Sequence, residues 1–151
     1  MKKGWIYFDM DNTIADLYSV SNWLADLESS RTRPYAEAAP MLNMSLLARL
    51  LNKCQKAGYR LGIVSWTSKN GTLEYNKAVE VVKYRWLMSH LPSVVWDVVY
   101  VVPYGTNKKE VCGEGILFDD EERNRVQWGK GAHSNTEIIE VLKELLKDER
   151  N

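Results

Sequence analysis

Apolar and polar residues follow one another along this chain in blocks rather than singly. Trp5-Ile6-Tyr7-Phe8 is short, apolar and rich in β-formers, and it stops at Asp9, the pattern of a buried strand that delivers a carboxylate to a loop. From Leu42 to Ala57 the residues Leu46, Leu47, Leu50, Leu51 and Cys54 recur at helical spacing, and Gly58 stands where a helix C-cap is expected. Tyr59 to Val64 then predicts a second strand, ending at Ser65. Thr72 to His90 carries Val79, Val82 and Trp86 on one helical face, and Pro92 bars further helix. Two apolar runs follow, Val98 to Val102 closed by Pro103 and Gly105, and Gly115 to Phe118 closed by Asp119-Asp120. Lys130 to Ala132 is a candidate fifth strand. Ser134 and Glu137 have the spacing of a capping box, opening a last helix with Ile138, Leu142 and Leu145 on its core face.

Strand and helix alternating at this spacing predict a three-layer, Rossmann-like α/β fold: a parallel sheet, right-handed crossovers and helices on both faces. A chain of 151 residues buries a sizeable core but has no room for a second full domain, so one domain over 1–151 is expected. The stretch 16–41 departs from the alternation. It is polar with embedded aromatics, and it predicts a helix plus loop lying over the strand ends as a small cap.

Charge narrows the partners. Lys and Arg number 20 and Asp and Glu 20, so there is no broad basic field of the kind that attracts nucleic acid over long range. The start, Met1-Lys2-Lys3-Gly4-Trp5, is basic, but the apolar run behind it breaks at Asp9, too early for a secretory signal, and no stretch reaches membrane-spanning length. A soluble, cytoplasmic protein is the expectation. Cys54 and Cys112 lack metal-ligand spacing and read as reduced packing residues, and His90 and His133 lack partners at ligand spacing.

The conspicuous polar groups all follow strands, and in parallel sheets ligands bind beyond the carboxyl ends of the strands, so Asp9, Ser65, Lys108 and Asp119 are expected to converge. Asp9 and Asp11 leave the same face of an extended chain. Two carboxylates so placed need a cation; Mg2+ suits an all-oxygen set, with Asp119 or Asp120 supplying a further carboxylate. Asp9 is the candidate nucleophile toward phosphorus, forming an aspartyl-phosphate. Lys108 and Ser65 fit the need to neutralise the phosphate oxygens, although Ser65 is equally placed to cap the next helix and Lys109 is the alternative lysine. Asp11 is positioned to act first as general acid and then as base. Tyr18, Trp23, Tyr35 and Trp66 are either core residues or a stacking surface for a nucleobase or aryl leaving group, and Trp66, beside Ser65, is the one nearest the phosphate.

Asp9-Met10-Asp11-Asn12-Thr13 resembles the first signature of the haloacid dehalogenase superfamily, with Ser65 similar to its second, Lys108 to its third and Asp119-Asp120 to its fourth. The resemblance implies a Rossmann-like core, Asp9 as nucleophile, Asp11 as acid/base with its backbone carbonyl on Mg2+, Asp119 or Asp120 completing the metal shell, and Thr13 helping to fix the loop. The segments Phe8 to Asp16 and Leu117 to Glu121 are similar to deoxyribonucleotidase-like members, which implies a nucleotide 5'-phosphate as substrate. Those members carry a substantial helical cap, whereas the interval 14–41 is shorter than the ~50 residues a domain usually needs. The function expected is a magnesium-dependent phosphatase of a small phosphorylated substrate. Two readings compete with it: a phosphoaspartate signalling module without turnover, and a phosphatase of nucleic-acid ends. Motif order argues against the first, since a receiver module carries its phosphoacceptor after the third strand, and the neutral charge argues against the second.

Overall fold

A computed structural model of the chain describes residues 3–148; Met1 and Lys2 of the basic start lie outside the described residues. The first strand, β1 (Trp5–Phe8), runs into a tight loop and a two-stranded antiparallel ladder, β2 (Ala15–Asp16) and β3 (Ala39–Pro40). Between the two rungs lie a single 3-10 turn and two short helices, α1 (Trp23–Glu28) and α2 (Arg33–Glu37). The alternating core follows: α3 (Met44–Lys56), β4 (Arg60–Trp66), α4 (Leu73–His90), β5 (Val98–Val102), α5 (Lys108–Cys112), β6 (Ile116–Phe118), α6 (Glu122–Trp128), β7 (Ala132–His133) and α7 (Ile138–Asp148).

Five strands pair in parallel in the order β5-β4-β1-β6-β7. Strand β1 is central, and its residues Ile6 and Phe8 point to one face while Tyr7 points to the other. The first face packs Leu61, Ile63 and Phe118 against Leu47, Leu51 and Cys54 of α3, Trp86 and Leu87 of α4, and Ile138 and Leu142 of α7. On the second face Tyr7, Val64 and Leu117 meet Trp128 of α6 and Cys112 of α5. Helices therefore cover both faces, as the alternation predicts. Among the described residues no helix is long and apolar enough to cross a membrane.

The expected boundaries shift by a residue or two for local reasons. Helix α3 starts at Met44 because the Asn43 side chain accepts a hydrogen bond from the Leu46 N–H, and α4 starts after Thr72, whose hydroxyl accepts from the Tyr75 N–H. The expected Ser134–Glu137 capping box is present, opening a 3-10 turn that leads into α7. The fifth strand sits at Ala132–His133 rather than Lys130 to Ala132, fixed by pairing with Leu117 and Phe118. Sequence patterning left α5 and α6 without an element of their own. Cys54 is buried on α3 and Cys112 is half-buried on α5.

Candidate active site

The loop after β1 is coiled around one carbonyl. The N–H groups of Thr13, Ile14 and Ala15 all donate to the Met10 carbonyl oxygen, at 3.1, 3.0 and 3.0 Å, and Asn12 takes the left-handed conformation that lets the chain turn back. Met10 and Ile14 are buried in the core and anchor the turn. The odd-numbered residues Asp9, Asp11 and Thr13 are thereby left to face the other way. Asp9 is held further by its N–H, which donates to the Phe118 carbonyl oxygen at 2.9 Å and so extends the β1–β6 ladder by one rung.

Strand β6 ends beside it. The Asp119 carboxylate is fully buried and accepts from the Glu121 N–H (2.9 Å), Lys108 Nζ (2.7 Å) and Asn124 Nδ2 (3.1 Å). Asp120 accepts from Asn12 Nδ2 at 3.0 Å, and its own N–H donates to Thr13 Oγ1 at 3.1 Å. The Thr13 hydroxyl donates to Asp9 Oδ2 at 3.0 Å, so Thr13 joins the two strand-end loops. Lys108 opens α5, whose N-cap Asn107 accepts from the Lys109 and Glu110 N–H groups. The Lys108 ammonium is 3 % exposed and lies 2.9 Å from Asp9 Oδ1 as well as 2.7 Å from Asp119. Lys109 instead pairs with Glu114 and lies over the Trp128 ring.

At the end of β4 the structure divides the expected roles. Ser65 is fully buried and its hydroxyl accepts from Lys83 Nζ at 2.7 Å; it is not among the residues lining the cavity. Trp66 does line it, with its indole N–H on the Thr106 carbonyl oxygen, its ring 4.9 Å from that of Tyr104, and Lys108 Nζ 5.3 Å from the ring centre. Thr67 lines it too. Its Oγ1 is buried and has no hydrogen-bond partner among the described residues. The cavity holds about 270 Å³, with Asp9, Asp11, Lys108 and Asp120 at its floor and Tyr18, Trp23 and Tyr35 from the segment between β2 and β3 on its wall.

Charge at the floor is unbalanced. Were all four carboxyls ionised, Asp9, Asp11, Asp119 and Asp120 would exceed the two buried ammonium groups, Lys83 and Lys108, by the charge of one divalent cation. Burial raises the Asp120 carboxyl to about 7, and the neighbouring Asp9 charge adds to this. Asp119 is raised to about 6 by burial and by Asp9, with Lys108 opposing. Asp11 is raised as well, by burial against the pull of Lys83. Burial alone would lower the Lys108 ammonium, but Asp9 and Asp119 outweigh it and hold the group above its ordinary value. The Tyr18 hydroxyl is pushed up to about 12 by burial and then by Asp11 and Asp120, so the negative field reaches the cavity wall.

No family model matches the chain, and no curated protein sequence matches it. Solved structures do. A D,D-heptose 1,7-bisphosphate phosphatase from Burkholderia thailandensis is 12% identical with a TM-score of 0.55, the match covering 95% of this chain and 99% of that one. The D,D-heptose 1,7-bisphosphate phosphatase from B. bronchiseptica, complexed with magnesium and phosphate, is 14% identical with a TM-score of 0.55 over 98% of this chain and 99% of that one. The chain therefore shares the overall fold of these two phosphatases. At these identities the likeness is one of fold.

Within this fold the strand-end carboxylates suit a hard cation. Ligand oxygens of Asp9, Asp119 and Asp120 all lie within 4.8 Å of one another, and oxygens around one Mg2+ at ~2.1 Å are roughly 3–4 Å apart, so a small inward movement closes the set. The donors are all oxygen, as magnesium requires. Lys83 and Thr67 escape a reading by motif. Lys83 carried one usable signal, a charged residue four after Val79 and three before Trp86, on the face of α4 that otherwise reads as core.

Proposed function

We propose that this protein is a magnesium-dependent phosphatase of small phosphate monoesters that works through an aspartyl-phosphate on Asp9. The observation that carries the reading is the meeting of Asp9 with Lys108 at 2.9 Å and with the Asp119-Asp120 pair at the ends of two adjacent strands. In the first step an Asp9 carboxylate oxygen attacks phosphorus while the ester P–O bond breaks, and the leaving oxygen takes a proton from Asp11. In the second a water attacks the same phosphorus and gives its proton to Asp11; the bond to Asp9 breaks and inorganic phosphate is released. Lys108 and the Thr67 hydroxyl bind the phosphate oxygens and neutralise charge that would otherwise repel Asp9. Asp9 and Asp120 would hold the metal, joined by the Asp11 backbone carbonyl as the resemblance implies, while the fully buried Asp119, its oxygens engaged by Lys108, Asn124 and the Glu121 N–H, orients the lysine. When bound, Mg2+ supplies Lewis-acid stabilisation of the phosphate oxygens.

The finer part of this reading concerns the leaving group. The segment 16–41 acts as a small cap on a single domain, and its Tyr18 and Trp23 line the cavity together with Trp66 and Tyr104, which favours a flat leaving group, a nucleoside monophosphate included. Purified protein is expected to hydrolyse p-nitrophenyl phosphate with many turnovers when Mg2+ is present and to stop when it is chelated. Asp9→Asn is expected to lower turnover by more than ~1000-fold with an unchanged circular dichroism spectrum. Full activity in that variant would remove Asp9 as nucleophile, and a single turnover in the wild type would favour the signalling module instead. Comparing a mononucleotide with a 5'-phosphorylated oligonucleotide separates the small-molecule reading from that of a nucleic-acid end phosphatase.

A further inference from the structure

A lysine on the core face of a helix is strongly unfavourable unless each of its N–H groups finds an acceptor. Lys83 lies on α4 between Val79 and Trp86 and is 1 % exposed. Its ammonium donates to Asp11 Oδ2 at 2.9 Å, Ser65 Oγ at 2.7 Å and the Trp66 carbonyl oxygen at 2.7 Å, so all three protons are placed. The Tyr35 ring covers it from the β2–β3 segment, 5.0 Å from ring centre to Nζ. Of these partners Asp11, Trp66 and Tyr35 line the cavity, and Ser65 lies buried beside Trp66 near the end of β4.

Asp9 and Asp11 differ in how they are held. Asp9 is fixed by Lys108 and Thr13, whereas Lys83 is the only side-chain partner that the Asp11 carboxylate has among the described residues. Asp11 faces the cavity with 22 % of its side chain exposed, and Asp9 repels it, so without a tether its carboxylate would swing toward solvent. Proton transfer needs the carboxylate within ~3 Å of the leaving oxygen or the attacking water. A lysine also leaves the Ser65 proton free, since its N–H donates to that hydroxyl and takes nothing from it.

We propose that Lys83 is the positioning residue for Asp11, holding this carboxylate over the reacting phosphorus and tying its place to the end of β4. The inference rests on the phosphatase reading for its chemical consequence but not for its structural one. p-Nitrophenolate leaves without a proton donor, while hydrolysis of the phosphoaspartate still needs a base. Lys83→Met is therefore expected to lower kcat for p-nitrophenyl phosphate by ~10–100-fold and to leave kcat/KM within about threefold. For phenyl phosphate, a poorer leaving group, both constants are expected to fall. A crystal structure of Lys83→Met is expected to show Asp11 in a different rotamer with Asp9 and Lys108 in place. Lys83→Gln, which keeps a donor without the charge, is expected to recover part of kcat, and it serves for every measurement if the methionine variant does not fold. A parallel fall of kcat and kcat/KM for both esters, or an unmoved Asp11 in the crystal, would overturn the proposal. An inactive wild type would defeat the phosphatase reading alone, and the Asp11 rotamer would then judge Lys83 by itself.

Discussion

Asp119 and Asp120 each carry a carboxyl that holds its proton far above the usual carboxylate range, about 6 and about 7, because both are buried beside a charged Asp9. In the unfolded chain both would titrate near 3.8, so below that pH the folded and unfolded forms are protonated alike and the preference of the fold for the protonated pair is fully expressed. As pH rises from there through about 7, the unfolded chain gives up protons that the folded one retains, and stability falls. A divalent cation takes the opposite side, since it binds the ionised carboxylates and its binding releases protons. Metal-free protein is thus expected to melt at a lower temperature at pH 8 than at pH 5, and Mg2+ is expected to raise the midpoint more at pH 8 than at pH 5. Scanning fluorimetry with and without a chelator checks both signs. An equal magnesium effect at the two pH values would show that Asp120 does not hold the ion.

Elements were legible from sequence where the hydrophobic pattern runs long enough to declare its period. Strand β5 falls at Val98–Val102, α4 runs from Leu73 to His90, and the strand-end positions of Asp9 and Asp119 follow from where apolar runs stop. Helices α5 and α6 were not legible, being five and seven residues long, too short for an amphipathic period to repeat. Lys83 stayed hidden for a related reason: its burial depends on Asp11 and Ser65, partners 72 and 18 residues away that no local pattern reveals. The conformation of Gly62 in the middle of β4 is ordinary, yet its place is dictated by a neighbouring strand. A Cβ there would lie 2.6 Å from two ring carbons of Tyr7, which is itself stacked on Trp5 and edge-on to Trp128 and cannot retreat. Overpacking a rigid ring of this kind costs ~1–3 kcal/mol, so Gly62→Ala is expected to lower the unfolding free energy by that amount, read as a lower urea midpoint with an unchanged m value. A neutral substitution would mean that the Tyr7 ring has freedom that the packing denies it.

At the scale of the whole molecule the strand order explains why residues 110 positions apart in sequence meet. Connections run outward from β1 through β4 to β5, then cross back to β6 and β7, and the reversal falls between β1 and β6. Adjacent strands whose connections leave in opposite directions open a crevice at their carboxyl ends, and Asp9 and Asp119 stand on its two lips. The segment between β2 and β3 contributes Tyr18, Trp23 and Tyr35 to the cavity lining, beside Trp66 and Tyr104 from the rest of the chain and the charged groups at the strand ends. On the proposed reading, this division separates chemistry from selectivity. Trp23, half-buried and 4.8 Å from Tyr18 across an edge-to-face contact, touches the space over the floor without contacting Asp9 or Lys108. Trp23→Ala is expected to raise KM for aryl and nucleoside phosphates by roughly 5–100-fold, the loss of one stacking partner, and to leave KM for a small alkyl phosphate unchanged. A kinetic series of phenyl phosphate, a nucleoside monophosphate and glycerol phosphate measures the difference. Equal changes across the series would place the leaving group away from this segment, and its rings would then be packing rather than a surface for substrate.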